Sequence, residues 1–189
     1  KIFSINLTGA SLLKAERHTL IGKFFSDYFA NIDKQALEQA LAVTMNWNFD
    51  LAKEKLLESK GWSSEKADRA VNDYKKYMAL MKAMDGYQLV PNEEIDEIWH
   101  MHILDTRQYM QDCNELFGEY MHHYPYFGML GEENKTQWLE TQTLSENVWE
   151  QLFGNKLYSS TNVGQKCPQV CPCHVEAVTN NTEALKAVI

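Results

Sequence analysis

Four of the six histidines fall within one short stretch: His100 and His102 in Trp-His-Met-His, and His122 and His123 in Met-His-His-Tyr. Asp96, Asp105 and Asp112 lie in or beside the same stretch. Neutral imidazole is the commonest transition-metal ligand, and a nearby carboxylate can ligate the ion or orient the ring. Zinc, iron or copper would all suit such donors. Helical spacing limits the combinations. Asp96 and His100 are four apart and share a face. His100 and His102 lie about 200° apart at roughly 100° per residue, so they cannot meet one ion on a continuous helix. Any metal site over this stretch needs a second element, and the His122-His123 pair is the natural supplier. The same residues also fit a structural reading. Ile95, Ile98, Trp99 and His102 fall on one face, which makes His102 a candidate core histidine bonded to protein groups, and on this reading His100 does no more than pair with Asp96.

A second cluster occurs near the C-terminus, where Cys167, Cys171, Cys173 and His174 crowd into eight residues. Three thiols and an imidazole suit a soft ion such as Zn²⁺ or Cu⁺. An oxidisable tail, or one carrying a disulfide, fits equally well. Cys113 follows Asp112, but its neighbours Tyr109, Met110, Leu116 and Phe117 mark it as a small buried hydrophobe rather than a nucleophile. The run Tyr120, Tyr124, Tyr126 and Phe127 reads first as loop packing, with the wall of a pocket as the alternative.

The elements that must position these residues are helical. Nine glycines and four prolines in 189 residues leave few turns for a many-stranded fold. Apolar residues recur with a period near 3.6 over most of the chain. Helices are predicted over Ser11–Ala30, from Asp33 through Met45, over Asp50–Ser59, from Ser63 to Asp85-Gly86, from Pro91 to Leu104, from Asp105 to about Met121, and over Glu133–Phe153. Asp33 and Ser63 are suitable N-caps, Pro91 followed by Asn92, Glu93 and Glu94 is a suitable helix entry, and Gly61 and Gly154 are suitable stops. The expected architecture is therefore all-α: a single helical domain of six or seven helices with an irregular Cys-containing tail. Residues 1–48 read as an N-terminal helical extension, 49–154 as the core and 155–189 as the tail.

A net charge of −8 with no basic stripe argues against a nucleic-acid groove or an anionic membrane surface. No apolar run approaches the roughly 20 residues that span a bilayer. The free thiols and the lack of a legible leader point to the cytoplasm, with export lacking a readable leader as the alternative.

The segment Ile95-Asp96-Glu97-Ile98-Trp99-His100-Met101-His102-Ile103-Leu104 resembles the I-D-x-x-W-H-x-H-x-L motif of the glycine-rich domain-containing protein-like family. Tyr109, Asp112-Cys113, Phe117-Gly118 and His122-His123 fit the continuation of that pattern, and Gly61-Trp62 to Tyr77 resembles the preceding helix in bacterial members. The likeness covers about residues 50–155. It implies a small helical domain with a shared site at Asp96, His100, His102, Asp112 and His122, and it implies no particular reaction. After Gly154 the only glycine is Gly164, so no glycine-rich role carries over. Three functions remain in view: a metal-binding protein built on the histidine cluster, a protein-interaction module or exported effector with structural histidines, and a metal-dependent oxidase or hydrolase.

Overall fold

A computed structural model describes residues 32–84 and 87–159. Every regular element among them is a helix: α1 (Lys34–Thr44), α2 (Asp50–Lys60), α3 (Ser64–Ala83), α4 (Glu93–Leu104), α5 (Thr106–Phe117) and α6 (Gly131–Phe153). The helix expected over Ser11–Ala30 and the cysteine cluster at 167–174 lie outside the described residues. The described residues form a single all-α domain.

The helix starts follow from local chemistry. Asp33, Ser63 and Asn92 each accept a first-turn backbone N–H through the side chain, satisfying donors that no helical carbonyl can reach. Asp105 closes α4 and caps α5 through its bond from the Gln108 N–H, so these two helices meet at a one-residue corner. At the other end, α5 stops at Phe117 rather than near Met121. Gly118 takes a left-handed conformation at φ 81°, and its N–H closes on the Asn114 carbonyl. That conformation is open to glycine and strained for most other residues.

Helix α3 is the central element. Its Tyr74, Tyr77, Met78 and Leu80 are fully buried, and α1, α2, α4 and α5 all pack on it. Leu37 and Ala40 of α1 and Leu144, Val148 and Trp149 of α6 join the same core. Full burial of one such apolar side chain is worth about 1.5–3 kcal/mol, so this core dominates the favourable side of folding. The extended segment 87–91 is fixed by polar bonds. The Tyr77 hydroxyl donates to the Leu89 carbonyl at 2.8 Å, the Tyr158 hydroxyl donates to Val90, and the Val90 N–H donates to Ser145 Oγ at 2.8 Å. Helix α4, with the histidine motif, therefore starts from a fixed point against the core.

Candidate metal centre

Helix α4 presents two faces of different character. Ile95, Ile98, Trp99 and His102 point into the core, whereas Asp96 and His100 lie on a more open side. Asp96 Oδ2 lies 4.0 Å from His100 Nδ1, the contact expected one helical turn apart. The third member arrives from beyond α5. After Gly118 the chain turns back, and His123 Nε2 meets Asp96 Oδ1 at 3.1 Å. The His100 and His123 rings stack at 4.9 Å between centroids and 26° between planes. Asp96, His100 and His123 can each direct one ligand atom into a group whose members all lie within 4.8 Å of one another. Among the described residues this is the group of histidine, cysteine and carboxylate side chains that could hold an ion.

Burial is graded across the triad. The His123 side chain is 6% exposed, Asp96 15% and His100 49%. One ring nitrogen of His123 bonds to Asp96. The other, Nδ1, is buried without any protein partner. A neutral imidazole with its proton on Nε2 leaves a bare lone pair on Nδ1, and such orphaned acceptors are uncommon in native interiors.

Two aromatic side chains position His123. The Trp99 ring lies 4.3 Å from the imidazole. Its indole N–H donates to Tyr109 Oη at 3.0 Å, and the Tyr109 hydroxyl donates in turn to the Met121 carbonyl at 2.6 Å. The segment that carries His123 is thus tied to α5 two residues upstream, while Trp99 of α4 backs the ring itself. Burial raises the Tyr109 hydroxyl far above its ordinary range, so it stays protonated and keeps donating.

His102 lies apart from the triad. Its Nδ1 is 2.9 Å from the Tyr74 hydroxyl and its Nε2 is 3.0 Å from Asp112 Oδ2. Phe49, Trp47 and Tyr109 enclose the ring at 4.9, 5.4 and 4.9 Å. Burial pushes its pKa down to about 4, which keeps it neutral, and burial also holds the Asp112 carboxyl above the usual range. The Tyr74 hydroxyl, raised well above its usual value, donates to Nδ1, and the Nε2–H donates to the carboxylate. Both ring nitrogens are engaged by protein groups. His122 is exposed and tilts against Tyr120 at 4.9 Å, outside the triad. Cys113 is fully buried, and burial raises its thiol pKa, consistent with a packing role.

Sequence spacing linked Asp96 to His100 and separated His100 from His102, and the structure keeps both relations. Tyr74, Trp99 and Tyr109 were not singled out as site residues. The one-residue corner at Asp105 was the available signal, because it folds α5 back on α4 and brings Tyr109 to Trp99 and Asp112 to His102.

No curated protein and no solved structure matches the chain. The expected membership of the glycine-rich domain-containing protein-like family is overturned by a family match over residues 33–148. The residues that carried that resemblance include Trp99, His102, Tyr109, Asp112 and Cys113, all buried in the core. Their spacing lets α4 pack on α5, where Trp99 pairs with Tyr109 and His102 with Asp112. The match spans well over half of the 189 residues, and by it the chain belongs to the UCP032817-like family.

Proposed function

We propose that this protein binds one divalent transition-metal ion through Asp96, His100 and His123. The observation that supports this most directly is the convergence of Asp96, His100 and His123, each of which brings one ligand atom into a group whose members lie within 4.8 Å of one another. Two imidazoles and one carboxylate form a donor set suited to Zn²⁺ or Fe²⁺, and three protein ligands leave coordination positions for water or substrate. Ligands about 2.0–2.1 Å from a tetrahedral ion lie about 3.3 Å from one another. The Asp96–His123 contact at 3.1 Å is already close to that spacing. His100, at 4.0 Å from Asp96 and half exposed, needs only a small side-chain movement to join.

The thiols of Cys167, Cys171 and Cys173 are competing ligands, so the test uses full-length protein with all three changed to serine. Metal-free protein is titrated with Zn²⁺ by calorimetry, alone and with His123→Ala or His100→Ala. The reading predicts one equivalent bound in the parent and a loss of at least tenfold in affinity in each variant, with the helical signal retained. Unchanged affinity in both variants would overturn it.

A further inference from the structure

Beyond the metal site, a cavity of about 150 Å³ opens between the end of α3, segment 87–89, Trp99 and the loop after α5. We infer that this cavity is a binding site for a small monocyclic aromatic molecule carrying one polar substituent. Its size is the first reason. A space of roughly this volume holds one benzene-sized ring and little more, well short of the volumes that take drug-sized ligands.

The lining is the second reason. Trp99, Tyr124 and Phe127 supply aromatic surfaces, and Met81 and Met121 supply thioethers. Aromatic rings favour edge-to-face and offset contacts with one another and make favourable contacts with methionine sulfur, so this wall suits a flat ring better than an aliphatic chain. His122 is part of the same wall and is exposed, which places one imidazole within reach of a hydroxyl or carboxylate on the bound ring. The residue that spacing offered as a metal ligand thus has a separate use.

The third reason is that two of the lining residues are held in place. Leu89 is held by the Tyr77 hydroxyl at 2.8 Å, and Met121 by the Tyr109 hydroxyl at 2.6 Å. Lining residues fixed from the core do not have to be ordered by a ligand, and preorganisation of this kind favours binding. Trp99 lines the cavity and also backs His123, so a ligand here would sit one indole away from the Asp96–His100–His123 group. The inference does not depend on an ion at that group, because it is tested on metal-free protein.

The experiment is a titration of ¹⁵N-labelled, metal-free, full-length protein with phenol, followed by amide chemical shifts. Cyclohexanol serves as the non-aromatic probe of equal size and 4-phenylphenol as the two-ring probe. Saturable phenol shifts centred on Met121, His122 and Phe127 are expected, with affinity for cyclohexanol at least fivefold weaker and no comparable shifts from 4-phenylphenol. Phe127→Ala and Tyr124→Ala, both at half-buried positions, should each weaken phenol binding at least fivefold with the amide dispersion retained. Non-saturating or scattered shifts would overturn the inference. So would equal binding of phenol and cyclohexanol, or unchanged phenol affinity in both variants.

Discussion

The Trp99 indole lies 4.3 Å from the His123 imidazole while its N–H is donated, at 3.0 Å, to the hydroxyl of Tyr109. One core residue of α4 therefore meets both the proposed ligand and the residue that ties down the chain just before it.

Asp96 is the member of the triad that touches both histidines. Asp96→Asn keeps the shape of the side chain and removes its charge. Zinc affinity is expected to fall at least tenfold, while the Asn amide can still pair with His123 Nε2, so the unfolding free energy should change by no more than about 1–2 kcal/mol. Calorimetry with urea unfolding of the same samples separates the two effects.

Tyr109→Phe removes no ligand. It leaves the buried Trp99 N–H and the Met121 carbonyl without their partner, which is expected to cost about 1–3 kcal/mol of stability. Because Met121 sits two residues before His123, zinc affinity should fall as well, by about threefold to tenfold. A loss of stability with unchanged affinity would leave Tyr109 as a packing residue only.

His102 sets a pH dependence that does not involve the metal. Its pKa is about 4 in the fold and about 6.5 when unfolded. A buried neutral histidine of this kind contributes stability that is full above pH 6.5 and is lost as pH falls toward 4, because the unfolded chain takes up the proton first. The difference corresponds to about 3 kcal/mol at most. Asp112 acts in the opposite direction, since its raised pKa lets the folded state take up a proton earlier, and this softens the loss at the acid end. Urea unfolding of metal-free protein at pH 7.5, 5.5 and 4.5 should show the decline beginning below pH 6.5. A flat profile would mean that His102 titrates alike in the folded and unfolded chain, which would contradict its burial as a neutral ring.

Gly128 marks a tight approach between the aromatic loop and α6. A Cβ there would come within 2.8 Å of the Trp138 ring, and the backbone sits at φ 91°. Gly128→Ala is therefore expected to destabilise by about 1–3 kcal/mol, readable as a shift in the urea midpoint.

Much of this was legible in the sequence because it depends on local rules. The caps at Asp33 and Ser63 and the stops at Gly61 and Gly154 act within a few residues, and the separation of His100 from His102 follows from helical geometry alone. What spacing left open was nonlocal. Whether His122 or His123 would meet Asp96 depends on the irregular path after Gly118, where no period constrains direction. The partnership of His102 with Tyr74 spans 28 positions and two helices, and only packing of α3 against α4 brings it about. The end of α5 was placed near Met121 because its apolar pattern continues past Gly118, where the backbone conformation overrides it.

The most direct test of the central claim is the imidazole ¹H–¹⁵N spectrum of the full-length protein with Cys167, Cys171 and Cys173 changed to serine, recorded before and after one equivalent of Zn²⁺. The account predicts that a ring nitrogen of His100 and one of His123 move to the shift of a metal-bound nitrogen while His102 keeps its neutral signature. Movement of the His102 signals in place of these, or no movement of any histidine, would contradict it.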